Sequence, residues 1–235
     1  MKTLIIIPAY NEENNIINTV TKILELNNSN IDYIVINDGS TDNTLQKLID
    51  NQFNYLNLPT NLGIGGAVQT GYKYALNNNY DIAIQFDGDG QHNSEYINLL
   101  IQEIEAGNDL VIGSRFINNT KGFKSTKTRR FGIKILSNLI KLCTKNKVSD
   151  PTSGFRACNK KIIKMFSLDY PYDYPEPDTI VTVIKKNFKV KEIPVIMNER
   201  EQGRSSINII KSIYYMIKVS LSIIISSLSN KEENK

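Results

Sequence analysis

Two carboxylates separated by a single residue, Asp87 and Asp89, are the side chains of this sequence best suited to chemistry. They follow the apolar run 82–86, which predicts a buried strand, and Gly88 and Gly90 allow the backbone to turn and approach a ligand closely. Neighbouring carboxylates repel each other unless a cation lies between them, and hard oxygen ligands suit Mg²⁺ or Mn²⁺. The pair therefore predicts a metal-facing strand end, although Asp and Gly are also the commonest residues of a polar β-turn.

Polar side chains also follow the first two predicted strands, in residues 8–12 and 37–42. Because the carboxyl ends of parallel strands meet at one edge of a sheet, we expect both loops to lie beside the acidic pair. Glu12 and Asp38 would there accept hydrogen bonds from a base or a ribose. The hydroxyls at 40 and 41 also suit the cap of the following helix, an interpretation that does not account for Asp38.

A glycine-rich stretch at 61–67 leads into a predicted helix. Its glycines leave backbone N–H groups able to face an anion. The stretch lacks the lysine of a phosphate-binding loop and the glycine spacing of a dinucleotide-binding turn. By itself it does not identify a ligand.

The elements that must hold these loops alternate along the chain. Strands are predicted at 3–7, 31–37, 53–57, 81–86 and 109–113, and helices near 12–27, 41–51, 64–79, 94–106, 130–145 and 178–187. Such alternation predicts an α/β fold with a mostly parallel central sheet and helices on both faces. With 235 residues, 40% of them hydrophobic, the chain can bury the core of one domain of ordinary size.

Positive charge is concentrated in one segment. No acidic residue occurs between Asp109 and Asp150, where ten basic residues lie, although the whole chain carries a net charge of only +4. Such a block indicates a phosphate-rich partner, either nucleic acid or an anionic membrane surface, or else a solvated face. The block does not have the aromatic interleaving of a stacking platform, so nucleic acid is not expected as a partner.

The motifs and their order resemble family 2 glycosyltransferases. The resemblance extends over about residues 3–206 and is carried by 8–12, 38–42, 61–71, 87–89 and 150–156. Within that family the chain looks like the dolichol-phosphate mannose synthase and polyprenyl-phosphate glycosyltransferase branch. This implies a GT-A, Rossmann-like, nucleotide-sugar-binding fold and inverting transfer of a hexose from a UDP- or GDP-sugar to polyprenyl phosphate. The alternative from another class, a catalytically silent nucleotide-sugar-binding or scaffold protein, is disfavoured by the intact acidic pair.

The resemblance also implies roles for single residues. Donor-binding residues would be Pro8, Tyr10, Glu12, Asp38, Gly63, Gly66, Asp87, Gly88 and Ser205. Mg²⁺ or Mn²⁺ on the diphosphate would be bound by Asp87, Asp89 and Gln91. Catalytic roles would fall to Asp89, Asp178, Arg115, Arg129 or its neighbour Arg130, and Arg200. The arginines suit this work because a forked guanidinium matches phosphate oxygens. Arg200 and Ser205 belong to a stretch that resembles a mobile loop closing over the diphosphate.

The role of the acids near residue 178 stays open. Asp178 falls where the lipid-phosphate synthases carry a helix carboxylate, and where other members of the family carry a base for a hydroxyl acceptor. Asp178 or Glu176 would be that base if the acceptor were a hydroxyl of a glycan or lipid. Alternatively both acids only favour the N-terminus of a helix, whose first turn accommodates Pro177.

The polar and apolar pattern of residues 207–228 predicts an amphipathic helix. This helix follows the catalytic domain, residues 1–206, and precedes residues 229–235, which we expect to be a disordered tail. A membrane-spanning helix would bury Lys218 at a cost of about 2.5–3.5 kcal/mol, whereas a helix lying in the interface satisfies both faces. The alternative is an amphipathic helix that packs on the domain or on a dimer partner, and a membrane protein is a further candidate partner. The two cysteines have no metal-ligand or redox spacing, and the one disulfide that they could form is weak evidence for secretion, so a reducing compartment is expected. Together with the interfacial helix, this predicts a peripheral enzyme on the cytoplasmic face of the membrane.

Overall fold

The structure of the protein is a computed structural model that describes residues 1–117, 126–198 and 209–228. The strands in these residues are β1 Thr3–Ala9, β2 Ile31–Asn37, β3 Tyr55–Asn57, β4 Ile82–Gln85, β5 Leu110–Ser114, β6 Arg156–Asn159 and β7 Val190–Pro194. The helices are α1 Ile16–Leu24, α2 Thr44–Asp50, α3 Gly63–Asn77, α4 Ile97–Glu105, α5 Lys127–Thr144, α6 Lys160–Leu168, α7 Pro175–Lys185 and α8 Ile209–Leu228. A 3₁₀ turn, Ser94–Tyr96, precedes α4.

The strands form one sheet in the order β3-β2-β1-β4-β6-β5-β7. Every pairing is parallel except those of β6, which runs antiparallel to both β4 and β5. The predicted α/β fold with a mostly parallel sheet is therefore confirmed. Since β1, β2 and β4 are parallel neighbours, the loops that follow them meet at one edge of the sheet, as such edges do in ligand-binding α/β proteins.

Alternation along the strands sends apolar side chains to both faces of the sheet. Leu4 and Ile6 of β1 belong to a core shared with α3, α5, α6, α7 and α8. Ile5 and Ile7 of the same strand belong to a second core, shared with α1, α2 and α4. This two-sided burial explains why the strand reads as an uninterrupted apolar run.

Three elements lie outside the sequence prediction: β6, α6 and β7. β6 has the sequence Arg-Ala-Cys-Asn and begins with Arg156, whose side chain is 0% exposed. A charged residue in a central strand contradicts the ordinary burial pattern, so the apolar periodicity did not indicate this strand. The helix predicted from 178 begins three residues earlier, at Pro175.

Helix α8 packs against α5 and α7. It contributes Val219 and Ile223, both buried, to the core on its side of the sheet. Its outer side carries apolar residues as well, and Ile217, Leu221 and Leu228 are exposed there. Within the described part of the chain, no helix combines the length and apolar character needed to cross a membrane.

Candidate active site

The loops after β1, β2 and β4 line a cleft with a volume of about 390 Å³. Its walls are formed by Pro8, Ala9, Tyr10, Glu12, Asp38, Asn61, Gly63, Ile64, Ala67, Asp87, Gly88 and Asp89. Eight of the residues predicted to act on a donor or metal are thus brought together from three loops and the start of α3. Gly66 and Gln91 do not line this cleft, and Arg200 and Ser205 lie outside the described residues.

Asn11 joins the first two loops. Its backbone N–H donates to Ser40 Oγ (3.0 Å), and its Oδ1 accepts from the backbone N–H of Thr41 (2.8 Å). The interpretation of Ser40 and Thr41 as helix caps is wrong, because α2 begins only at Thr44, whose N–H donates to Asp42 Oδ1 (2.9 Å). The two hydroxyl residues instead fix the rim of the cleft.

Asp38 lies at the floor of the cleft and is only 3% exposed. Its Oδ1 accepts a hydrogen bond from the backbone N–H of Leu62 (2.7 Å). Burial raises the pKa of Asp38, and the N–H groups of Leu62 and Gly63 oppose that rise. The carboxylate therefore holds the glycine-rich loop against β2 in addition to facing the cleft.

The glycine-rich loop is held from its other side by residues 171–172. Gly65 donates its N–H to Tyr172 O (3.1 Å), and a Cβ at this position would lie 2.1 Å from Pro171 O. Only glycine fits so close an approach. At Gly66 a Cβ would meet the side chain of Leu62 at 2.5 Å, so this glycine serves packing within the loop.

Asp87 is oriented by two side chains. Gln85 Nε2 donates to its Oδ1 (3.2 Å), and His92 Nε2 lies 3.5 Å from its Oδ2. His92 is buried, stacks on the Phe155 ring at 4.7 Å, and accepts the backbone N–H of Asp87 at Nδ1 (2.9 Å). Burial lowers the pKa of His92, against the raising effect of the nearby carboxylates, so the neutral imidazole presents Nε2–H to Asp87. The sequence contained this histidine in the acidic motif, but its type alone did not reveal the contact.

Asp89 is nearly buried, and its Oδ1 accepts the backbone N–H of Gln91 (3.1 Å). Among the described residues, no group of three or more His, Cys, Asp or Glu side chains surrounds a common point. Two carboxylates nevertheless fit Mg²⁺ or Mn²⁺, because such an ion is commonly bound through one or two carboxylates together with substrate phosphates and water. The donor set therefore suits an ion shared with a diphosphate better than an ion held by protein alone.

Arg115, which follows β5, is fixed by Asp150. Its Nε and Nη2 donate to the two carboxylate oxygens at 2.7 Å each, and Nη2 also donates to Thr152 Oγ1 (2.9 Å). Asp150 is itself fully buried and receives a further bond from the Arg115 backbone N–H (3.1 Å). This predicted phosphate-binding arginine is thus a rigid cation whose position depends on the loop 150–154.

Arg156 connects that loop to α7. Its Nε and Nη2 donate to Ser153 O (3.2 and 2.6 Å), while Nη1 donates to Thr179 Oγ1 (2.9 Å) and to Glu176 O (3.4 Å). These partners satisfy a guanidinium that is wholly removed from water. Sequence reasoning missed this role because the partners lie more than twenty residues away or on backbone atoms.

The two acids of α7 lie in different surroundings. Burial raises the pKa of Glu176; Arg156 lowers it, Asp87 raises it, and a hydrogen bond with the Gln85 side chain lowers it. Glu176 therefore interacts with Gln85 and is influenced by the charge of Asp87. Asp178, two residues on, accepts a hydrogen bond from Ser226 Oγ of α8. Both acids are in the first turn of α7, but only the pKa of Glu176 is influenced by Asp87.

Arg129 and Arg130 lie in the first turn of α5 and are exposed. The helix begins at Lys127 after the N-cap Thr126, whose Oγ1 accepts the backbone N–H of Arg129 (3.4 Å). Helix α5 packs against α8 and α7. Arg129, Arg115 and Glu176 all influence the pKa of Tyr215 in α8.

The chain is similar to a known protein family and to characterised proteins. Residues 4–166 match the family described as Glycosyl transferase family 2. The chain is 34% identical over 212 residues, 81% of its length and 83% of the relative's, to a UDP-N-acetylglucosamine–dolichyl-phosphate N-acetylglucosaminyltransferase of Methanococcus voltae. It is 27% identical over 217 residues, 88% of its length and 81% of the relative's, to a polyprenol monophosphomannose synthase of Mycolicibacterium smegmatis.

A solved structure is also similar: glucosyl-3-phosphoglycerate synthase from Mycobacterium tuberculosis, in complex with Mn²⁺, uridine diphosphate and phosphoglyceric acid. The TM-score is 0.75 at 15% sequence identity, and the match covers 98% of this chain and 80% of the other. At this level of identity the similarity concerns the fold, and it confirms the GT-A architecture expected from the sequence.

Proposed function

The chain belongs to glycosyltransferase family 2, and from this premise we propose that it transfers a hexose from a UDP- or GDP-sugar to polyprenyl phosphate. The observation that carries the proposal is the cleft at the strand ends, where Asp38 and the pair Asp87 and Asp89 face one volume. Relatives named for dolichyl-phosphate and polyprenol-phosphate products support the choice of acceptor.

The chemistry of sugar transfer agrees with these groups. As the bond between the anomeric carbon and the diphosphate breaks, positive charge develops on the sugar and negative charge on the departing nucleoside diphosphate. Mg²⁺ or Mn²⁺ bound by Asp87, Asp89 and Gln91 would neutralise charge on that diphosphate. Asp38 and Glu12 would receive the base and the ribose, while Gln85 and His92 keep Asp87 in position.

A phosphate acceptor also explains the basic side of the site. A phosphate monoester is already ionised near neutral pH, so one of its oxygens can attack the anomeric carbon without a strong base. Attack from the face opposite the leaving diphosphate forms the new carbon–oxygen bond as the old one breaks, and the configuration inverts. Arg115 and Arg129 supply the positive charge that an anionic acceptor requires.

We further propose that the enzyme acts as a peripheral protein at the cytoplasmic face of the membrane. The outer side of α8 exposes Ile217, Leu221, Ile225 and Leu228, and Phe131 on the neighbouring helix α5 is also exposed. Apolar side chains beside the basic residues of α5 suit an anionic lipid interface.

The test is a turnover experiment with purified protein, Mn²⁺, a panel of UDP- and GDP-hexoses and farnesyl phosphate as a short acceptor. Mass spectrometry should detect a glycosyl phosphate with one donor, and NMR of the product should show the anomeric configuration opposite to that of the donor. Retention of configuration would contradict the inverting displacement. Absence of product with every donor, together with product from a glycan or lipid hydroxyl, would contradict the acceptor class.

A hydroxyl acceptor is the second candidate, and Glu176 is the observation that favours it. A carboxyl whose pKa is raised by burial, and further by the charge of Asp87, has the properties of a general base. If the acceptor were a hydroxyl, Glu176→Gln should lower kcat by about 10²–10⁴-fold. With a phosphate acceptor the same substitution should leave kcat within about tenfold, because no proton has to be removed.

A further inference from the structure

Tyr215 of α8 lies where the first turns of α5 and α7 meet. Its ring contacts the ring of Tyr174 edge-on, with centroids 4.5 Å apart and planes at 80°. Tyr174 is the residue that immediately precedes α7. The next residue of α8, Met216, lies against Gly132 of α5, where a Cβ would be 3.1 Å from its sulfur. Tyr215 is therefore a half-buried residue where α8 packs against the two helices that carry Glu176 and Arg129.

Charged groups from three elements influence the pKa of this phenol. Burial raises the pKa of Tyr215 and Glu176 raises it further, while Arg129 and Arg115 lower it. Burial lowers the pKa of Arg115, whereas Asp150, Asp87 and Tyr215 raise it. The hydroxyl thus stays protonated at neutral pH, and it lies within the field of both arginines that the proposed acceptor phosphate requires. A protonated phenol is a hydrogen-bond donor.

The orientation of α8 is fixed by polar contacts on the same side of the helix. Lys218, one turn after Tyr215, forms an ion pair with Asp173, and Ser226 donates to Asp178. Val219 and Ile223 fill the core between them. A rotation of α8 would break all of these contacts together, so Tyr215 is held toward the arginines.

We propose that Tyr215 is a binding residue for the acceptor, its hydroxyl donating a hydrogen bond to the phosphate that Arg115 and Arg129 attract, so that α8 completes the acceptor site. A phosphate monoester presents three strong acceptor oxygens, more than the two arginines need to occupy. Arg115 already gives Nε and Nη2 to Asp150 and Thr152, which leaves room for a further donor. This inference rests on the proposed function, because it takes the acceptor to be a phosphate.

The test compares Tyr215→Phe with Tyr214→Phe. The first substitution removes the hydroxyl and retains the ring that packs on Tyr174; the second makes the same chemical change on a neighbouring tyrosine that is 60% exposed. Tyr215→Phe should raise the KM for farnesyl phosphate by about tenfold, as expected for loss of a hydrogen bond to a charged group. The donor KM and the melting temperature should not change, and Tyr214→Phe should match the wild type.

Direct binding separates this inference from the proposed function. Isothermal titration of farnesyl phosphate into wild type and Tyr215→Phe requires no turnover. No binding to the wild type would overturn the proposed acceptor. Binding to both proteins with equal affinity, or an equal loss in Tyr214→Phe, would overturn the role of Tyr215. A lower melting temperature with a rise in both donor and acceptor KM would show that the hydroxyl supports only the fold.

Discussion

Gly154 lies so close to the carboxylate of Asp87 that a Cβ at position 154 would come within 2.9 Å of Asp87 Oδ2. The same atom would lie 2.8 Å from Gln85 Nε2, the group that orients this carboxylate. The loop that fixes Arg115 through Asp150 therefore also sets the position of the acidic pair. The two sides of the site are connected through one backbone segment.

Gly154→Ala should displace Asp87 and weaken metal binding. Because the added methyl group meets a carboxylate and an amide that act in the site, we expect a loss of about 10–100-fold in apparent Mn²⁺ affinity, the size typical for disturbing the support of a ligand. The measurement is initial rate against Mn²⁺ concentration, with circular dichroism to verify the fold. An unchanged Mn²⁺ dependence would show that Asp87 is not a metal ligand.

Asp89→Asn should abolish metal-dependent turnover without unfolding the protein. The amide oxygen of Asn can still accept the N–H of Gln91, but a neutral group attracts a divalent ion less. Asp81→Asn is a matched control, since Asp81 precedes the opposite end of β4 and accepts the N–H of Lys2. Wild-type rates for Asp89→Asn at limiting Mn²⁺ would refute the ligand role.

Asp38→Asn should stabilise the protein at neutral pH while weakening donor binding. The pKa of Asp38 is raised above its ordinary 3.8 chiefly by burial, so its ionised form costs stability in the folded state. That cost is fully present above the raised pKa and disappears as the pH falls toward 3.8 and below. Melting temperatures should therefore favour Asn at pH 7 and converge in acid.

Donor binding by the same variant should move in the opposite direction. The substitution removes a carboxylate that would accept a hydrogen bond from the nucleotide base. Calorimetric titration with UDP and GDP should therefore show an affinity lower by about tenfold for the preferred nucleotide. Equal affinity in wild type and variant would remove Asp38 from the base-binding site, whatever its effect on stability.

Arg129→Ala and Asp178→Asn should behave differently. Removal of an exposed cation near Tyr215 should raise the acceptor KM strongly with little change in donor KM. Asp178 is hydrogen-bonded to Ser226, so its substitution should leave kcat within about tenfold, less than the 10²–10⁴ that a general base supplies. A large loss at Asp178 with none at Arg129 or Arg130 would favour a hydroxyl acceptor.

Membrane attachment should depend on the outer side of α8. The combined substitution of Ile217, Leu221 and Ile225 by Ser removes three exposed apolar side chains, each able to contribute on the order of 1 kcal/mol when partly buried in lipid. We expect the variant to float less with vesicles of phosphatidylcholine and phosphatidylglycerol, while its melting temperature and its activity on farnesyl phosphate are retained.

Val219→Ser provides the contrast for that experiment. Val219 faces the core, so its substitution should lower the melting temperature without affecting flotation of the folded protein. Deletion of the chain from Ile209 would be a poor test, because it also removes Ile223 from the core and would expose the helices beneath. Equal flotation of the triple variant and wild type would show that α8 does not bind lipid.

The sequence predicted much of the sheet and most of the residues that line the cleft because those signals are local. The strand at 82–86, its acidic end and the loops at 8–12 and 37–42 depend on apolar runs and turn residues close in the chain. Strand β6 was not predicted because it begins with a buried arginine. The hydrogen-bond partners of Arg156 are brought to it only by the fold. Glu176 and Asp178 have different surroundings, and Tyr215 is half-buried, because of how α7 and α8 pack. The sequence alone does not show this packing.

The two sides of α8 have a kinetic consequence. One side carries exposed apolar residues and the other carries Tyr215 beside the arginines, with the orientation fixed by contacts to α7. If α8 rests in the interface, as proposed, it would hold the acceptor site at a constant depth next to lipid headgroups. A long-chain acceptor would then be captured by lateral diffusion within the bilayer. Its rate of use would follow its mole fraction in the membrane, and adding inert lipid at constant total acceptor would slow the enzyme by surface dilution.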